Sequence, residues 1–524
     1  MIRRYLSQDN NESRITDILS LNILERVKTL LEASSAPQLQ YESAWVITNI
    51  AAGNSTQTMA VVEADYIKVL MDCLCSDGNI DFKAQISWAL SNIAGESAPL
   101  RERLLHQNAM NAVIQVLKSL YEQILQVSSS EYTTDHMKVI REKGAHADVR
   151  VLTWTISNMC RGGFKTKELW QLYIPAFEIL SEMTLLDDPE ICTDACWGLS
   201  RILSNMHKVD PFLRALHIHD GLCPRLVKLL DSDNVLLQTP VLRTVINIAS
   251  GPNEHISCLL KGQPLEVLLQ YLSPSVLSHF RRDALLTIAN IAAGSENHVR
   301  QVLETPGIME MVETYTRIPD TDTDILPYAS KQKSTHQDIE EEWKITQEAV
   351  WIICNVTSLG SIESICNMLD AHPQIPKRLS RILLYQSTPM PAILKVLDAM
   401  INILSRTSEL FNVNPPLSSQ PKNPYYDEFV QLGIMRRIQS MKNEYPGVNS
   451  LQERLDLYTT AANNCNAQQP TYTLVAGSAE AFGLPTRKVL TTGANVRRVV
   501  RGTEDGDVRW VEDAVGKLCI LEGS

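Results

Sequence analysis

Four times in this 524-residue sequence a tryptophan is followed four residues later by an asparagine: Trp45 and Asn49 (YESAWVITNIAAG), Trp88 and Asn92 (SWALSN), Trp154 and Asn158 (TWTISN), and Trp351 and Asn355 (VWIICN). On a helix, residues four apart lie on one face. An indole face attracts ammonium and guanidinium groups, a contact worth about 0.5–2 kcal/mol. The apolar stems of Lys and Arg pack along such rings. Asparagine carries both a donor and an acceptor, so a row of them can hold the unpaired N–H and C=O groups of an extended peptide whatever its sequence. One such pair would read as core packing. Four pairs in similar apolar frames read as a ladder, because a row of buried amides without partners is costly.

The elements that position these pairs recur at a fixed period. Aligned on the tryptophan, the chain has Trp45, Trp88, Trp154, Trp197, Arg243, Leu286 and Trp351, at intervals of 43, 66, 43, 46, 43 and 65. Four of these intervals match the roughly 40–47 residues of armadillo and HEAT units. The two long ones read as a repeat plus a polar surface loop, placed at Val127–Asp148 and at Thr316–Glu342, with the acidic run Glu340–Glu342 solvated. The asparagine position reads Asn49, Asn92, Asn158, Arg201, Asn247, Asn290 and Asn355. Gly53, Gly95, Gly162, Gly251 and Gly294 follow these helices and read as their stops. The spacing therefore predicts an all-α solenoid of stacked helical repeats of armadillo or HEAT type.

Residues 1–40, with helical spacing over Ile15–Leu31, read as an N-terminal cap, and residues 41–465 as the repeats. The ladder occupies 41–360 and divergent repeats fill 361–465, with one helix expected at Ala392–Leu404 containing Asn402. Residues 466–524 read as a flexible tail or small strand-rich appendage. Its basic stretch Asn495–Arg501 (NVRRVVR) reads as solvated, with occupation of the groove the competing reading.

The bulk composition excludes several classes. With 60 acidic and 48 basic residues the net charge is −12, which argues against direct nucleic-acid binding and suits a receptor for cationic partners. The eleven scattered cysteines make no recurring CxxC pair and read as reduced, buried thiols, Cys160, Cys196 and Cys354 among them. No membrane-length apolar run, signal-peptide core, HExxH, phosphate-binding loop or nucleophile elbow is present. The sequence thus predicts no enzyme, no metal site, no cofactor and no membrane partner.

These residues closely resemble importin α, the armadillo-repeat adaptor that binds nuclear localisation signals. YESAWVITNIAAG and SWALSNIAGE are similar to its first two repeats, TWTISNMCRGG to the third, DACWGLSRIL to the fourth and LRTVINIASG to the fifth, where the family also carries Arg at the tryptophan position. The resemblance covers roughly residues 15–460 and implies an all-α, armadillo-repeat, right-handed superhelical solenoid with the ladder on its concave face. It implies a nuclear import adaptor of cytoplasm and nucleus that holds Lys/Arg-rich peptides in extended form. The major site it implies comprises Trp45, Asn49, Trp88, Asn92, Trp154 and Asn158; Gly53 and Thr58 match positions that clamp the key lysine, Glu96 stands where the family has Asp, and Asp194 matches a further groove acid. The minor site it implies comprises Arg243, Asn247, Asn290, Glu348, Trp351 and Asn355, with Leu286 in place of a family tryptophan, so this end is expected to bind weakly. Arg201 is expected to place a cation in the groove. The family also has an importin-β-binding segment rich in Arg and Lys at its front and a recycling exportin as partner. Here Arg3 and Arg4 form no such basic cluster ahead of the first repeat, so the sequence alone does not imply coupling to importin-β. The competing readings are a general armadillo scaffold, which would need basic groove residues, and a cytosolic chaperone for basic proteins.

Overall fold

The computed structural model describes residues 2–6, 11–130, 137, 140–141, 144–162, 167–204, 221–319, 321, 336–412, 423–466, 510–512 and 518–520. Its repeating element is a group of helices, usually three, whose last member packs on the last member of the next group. The chain groups into two compact units, Met1–Thr244 and Val245–Ser524.

The first unit opens with α1 (Ile2–Leu6), α2 (Asn11–Ser20) and α3 (Leu24–Leu31), followed by the long α4 (Pro37–Ala51). Next come α5 (Ser55–Glu63), α6 (Tyr66–Cys75) and α7 (Ile80–Glu96), then α8 (Ala98–His106), α9 (Ala109–Ser130) and α10 (His146–Met159). The unit continues with α11 (Lys167–Met183), α12 (Pro189–Leu203) and α13 (Leu222–Leu230), and ends within α14 (Val235–Ala249). The second unit contains α15 (Asn253–Leu260), α16 (Pro264–Tyr271) and α17 (Ser278–Ala292), then α18 (Glu296–Glu304), α19 (Ile308–Tyr315) and α20 (His336–Leu359). Two further triplets follow: α21 (Ile362–Ala371), α22 (Gln374–Leu384) and α23 (Met390–Asn412), then α24 (Pro424–Gln431), α25 (Ile434–Glu444) and α26 (Asn449–Asn466). The fold class is the all-α armadillo-repeat solenoid.

A backbone signature marks the period. Asn22, Asp65 and Asn108 each turn the chain between the two shorter helices with φ of 52°, 57° and 63°. In the second unit Gln263, Gly307 and Gly433 do the same with φ of 55°, 90° and 83°. Left-handed backbone is tolerated best by Gly, Asn and Asp, and those types fill all but one of these positions. Asn22 reveals that α2, α3 and α4 are one triplet, so the stretch expected as a separate cap supplies the first two helices of the first repeat.

Long helices pack directly on long helices: α4 on α7, α7 on α10 and α10 on α12 in the first unit; α17 on α20, α20 on α23 and α23 on α26 in the second. The cores between them are aliphatic, with Ile47, Ile50, Ile86, Leu90, Ile93, Leu152 and Ile156 fully buried. Cys160, Cys196 and Cys354 are buried free thiols, and burial pushes each thiol up from its ordinary range. The side chain before or after the ladder position laces one long helix to the next. Thr155 Oγ1 donates to the carbonyl of Ser87 at 3.2 Å, and Thr244 Oγ1 to that of Cys196 at 3.0 Å.

Several expectations change. Gly95 lies inside α7, which runs on to Glu96, so it is no stop; Ser97 instead caps α8 by accepting from the Leu100 N–H. Gly162 does sit in left-handed backbone, with φ of 72°. The Val127–Asp148 loop is shortened at both ends, because α9 extends to Ser130 and α10 starts at His146. The other insertion ends at His336, where α20 begins, so Glu340–Glu342 is helical. Nor is that run all solvated: Glu342 accepts from Arg281 at 2.8 Å and from Arg317 at 2.6 Å, and Glu341 from Arg282 at 2.6 Å. Opposite charge on α17 and on the segment after α19 decided this, a long-range pairing that a local reading of an acidic run cannot contain. In the tail, Trp510–Glu512 and Leu518–Ile520 pair as an antiparallel ribbon. NVRRVVR lies outside the described residues.

Candidate functional site

The first unit brings its three Trp/Asn pairs together. Trp45, Trp88 and Trp154 are half-buried on the shared face of α4, α7 and α10. The Trp45 and Trp88 ring centroids are 5.6 Å apart at 55°, and those of Trp88 and Trp154 are 6.4 Å apart at 83°. Tilted and edge-to-face contacts of this kind are the favoured aromatic geometries. The rings therefore touch. A methylene chain between two ring faces needs roughly 3.5–4 Å to each face, which these contacts do not leave, and the aromatic row is continuous.

Beside the row stand the amides. Asn49 Nδ2 donates to the Trp45 carbonyl of its own helix at 2.8 Å. Asn92 Nδ2 reaches across to the Thr48 carbonyl at 3.0 Å, and Asn158 Nδ2 to the Ser91 hydroxyl at 3.0 Å. Each recipient in the cross-helix pairs directly precedes the ladder asparagine of the previous helix. A side-chain amide has two N–H groups and an acceptor oxygen, and each asparagine directs one N–H to a partner inside the fold. Asn49 and Asn92 are half-buried, whereas Asn158 is only 3% exposed.

Around this row the remaining major-site expectations separate. Glu96, at the end of α7, is half-buried. Burial raises the Asp194 carboxyl to about 6 against the opposing fields of Arg150 and Arg201. A second pair of carboxyls lies on the starts of α7 and α10, where burial and then the neighbouring Asp81 raise Asp148 to about 6. Thr58 is fully buried, with its hydroxyl against the carbonyls of Ala51 and Asn54 at 3.1 and 3.3 Å, which ties it to the fold as placed. Gly53 has a packing reason of its own. A Cβ there would meet Gln57 Oε1 at 2.0 Å, and Gln57 closes the capping box of α5. Gly251 and Gly294 repeat this arrangement against the rings of His255 and His298, at 2.2 Å in both cases.

The fourth repeat is self-contained. Arg201, at the asparagine position, donates to the Ser157 carbonyl at 2.7 Å and its hydroxyl at 3.1 Å, and its guanidinium stands 5.7 Å from the Trp197 ring centre. It thus makes the cross-helix bond of a ladder asparagine, and its charge lies against the chain's own indole.

The expected minor-site residues are divided and buried. Arg243 falls in the first unit; Asn247, Leu286, Asn290, Glu348, Trp351 and Asn355 fall in the second, and all are at most 9% exposed. Asn355 Nδ2 donates to the Ala289 carbonyl at 2.8 Å, the same offset as in the first unit, while both amide atoms of Asn290 are buried without a partner. The offset also reaches Asn402, which the sequence placed on a repeat helix without assigning it to the ladder. Asn402 Nδ2 donates to the Cys354 carbonyl at 3.1 Å, which places Asp398 of α23 where the other helices carry tryptophan. Asp398 is paired with Arg454 at 2.8 Å. The signal was the Asn402 spacing, 47 residues after Asn355, hidden by the absence of the tryptophan. No helix among the described residues is long and apolar enough to cross a membrane.

No family model matches the chain. Among curated proteins it is 31% identical over 273 residues to importin subunit alpha-1b of Oryza sativa subsp. japonica, covering 52% of this chain and 46% of that one. It is 33% identical over 238 residues to the probable importin subunit alpha-A of Dictyostelium discoideum, covering 45% and 40%. It is 26% identical over 446 residues to importin subunit alpha-8 of Arabidopsis thaliana, covering 84% and 85%. The chain spans about half the length of the first two. Among solved structures, an engineered protein superposes with a TM-score of 0.63 at 21% identity, over 88% of this chain and 93% of that one. A designed armadillo repeat protein aligns over 55% of this chain at a TM-score of 0.42.

Proposed function

We propose that this chain, a relative of the importin α subunits with the armadillo-repeat fold, is a nuclear import adaptor that binds Lys/Arg-rich localisation signals as extended peptides along the first unit, in cytoplasm and nucleus. One observation carries the reading: Trp45, Trp88 and Trp154 form a continuous aromatic row beside Asn49, Asn92 and Asn158, each of which holds amide groups in reserve. The reserved N–H and C=O groups bind peptide backbone without regard to sequence. The rings supply the preference for long cationic side chains, and Glu96 and Asp194 supply the charge. Because the rings touch in the free chain, a bound lysine or arginine stem parts them as it seats. The net charge of −12 assists encounter with basic cargo.

The test is binding of a labelled Pro-Lys-Lys-Lys-Arg-Lys-Val peptide to the full chain at two salt concentrations. Trp88→Ala/Asn92→Ala and an all-alanine peptide are the controls. Affinity should fall at least ten-fold in the double variant and with the alanine peptide, and weaken with salt. Equal affinity in the two proteins, or no binding by the full chain, would overturn the proposal.

A further inference from the structure

Trp351 has its cation already. Lys395 Nζ, on the neighbouring long helix α23, stands 5.2 Å from the Trp351 ring centre, and the lysine is only 6% exposed. Its place in the repeat is informative. Asp194 lies three residues before Trp197, Asp283 three before Leu286 and Glu348 three before Trp351; Lys395 lies three before Asp398, the next ladder position. Where four earlier repeats put an acid, Glu42 three before Trp45 being the fourth, this one puts a base, and the base reaches back onto the previous tryptophan. Trp351 itself is 9% exposed. The other ladder indole outside the contacting row, Trp197, likewise faces a cation of the chain, Arg201.

We propose that Lys395 sets the specificity of the second unit's ladder: it is a built-in occupant of the Trp351 ring face and excludes lysine and arginine side chains of a ligand from it. The ring face takes one cation at a time, and a second ammonium brought to it would meet the first at close range in a poorly solvated place. Basic peptides therefore engage the first-unit row and leave Trp351 untouched. The inference rests on the peptide-binding reading above and narrows it to one cation-selective row.

The experiment uses the full chain with 5-fluorotryptophan at its eight tryptophans, with Trp351 assigned by Trp351→Leu and Trp88 by Trp88→Leu. On titration with the Pro-Lys-Lys-Lys-Arg-Lys-Val peptide, the Trp88 fluorine resonance should shift and that of Trp351 should not. In the Trp88→Ala/Asn92→Ala background, Lys395→Met should raise affinity for the peptide at least ten-fold and bring a Trp351 shift with it, whereas Lys395→Arg should not. A Trp351 shift in the wild-type chain would overturn the inference without Lys395→Met having to fold. So would a folded Lys395→Met variant, checked by its thermal melt, with a silent Trp351. A silent Trp88 would instead count against the first-unit site, and the Lys395→Met arm would still decide the role of Lys395.

Discussion

The side-chain amide of Asn92 donates to the carbonyl of Thr48 across 3.0 Å, joining α7 to α4 directly beneath the Trp45–Trp88 contact. The ladder is thus a structural tie between long helices. Asn92→Ala should cost stability, about 0.5–1.5 kcal/mol for one intramolecular hydrogen bond, together with at least ten-fold in peptide affinity. Urea denaturation and peptide titration on the same variant read the two effects separately. A loss of affinity with an unchanged urea midpoint would mean the bond to Thr48 contributes nothing.

The acidic run at the start of α20 separates buried from exposed ion pairing. Glu342, 19% exposed, holds both Arg281 and Arg317, which are 8% and 5% exposed. Glu342→Ala leaves two buried guanidinium groups facing each other and should cost about 3–5 kcal/mol, the range for breaking a buried pair from one side. Glu340, 61% exposed, meets the half-buried Lys344 at 3.6 Å, and Glu340→Ala should stay within about 0.5 kcal/mol. Equal urea midpoints for the two variants would refute the distinction.

These residues also mark what could be read beforehand. The Trp/Asn spacing, the 43-residue period and the polar insertions were legible because helix periodicity and turn chemistry are local. The closing of the rings and the pairing of Lys395 with Trp351 and of Glu342 with two arginines were not, because each is set by a residue tens of positions away in the chain. The left-handed turns at Asn22, Asp65 and Asn108 lay between: their residue types and spacing were visible, but Asn and Asp are common enough that only the backbone reveals the pattern.

Gly53 tests whether a glycine beside the ladder is kept for the ligand or for the fold. A methyl group there meets Gln57 Oε1 at 2.0 Å. Gln57 is bonded to the Asn54 N–H, to the Glu12 carbonyl and to Thr16 Oγ1, so it cannot swing aside without releasing α2. Gly53→Ala should cost about 1–3 kcal/mol, the usual penalty of overpacking, and should raise amide exchange in Asn11–Ser20. A variant of unchanged stability with weakened peptide binding would assign Gly53 to the ligand alone.

Asp194 couples binding and stability to pH with opposite signs. Burial raises its carboxyl to about 6 in the folded chain, above the value of about 3.9 for an exposed aspartate. Between those values the folded state binds the proton more tightly than the unfolded one, so this residue's contribution to stability falls as pH rises from about 4 to about 6 and is level above that. Asp194→Asn removes the penalty: the variant should gain stability at pH 7.5 relative to wild type and gain little at pH 4.5. Peptide affinity should move the other way. The ionised carboxylate attracts a ligand cation and the neutral acid does not, so wild-type affinity should rise between pH 5 and pH 7, and Asp194→Asn should flatten that rise and bind more weakly at pH 7. Urea midpoints and peptide titrations at the same pH values check both. A wild-type affinity that is level from pH 5 to pH 7 would remove Asp194 from the binding face and leave it a buried acid of the fold.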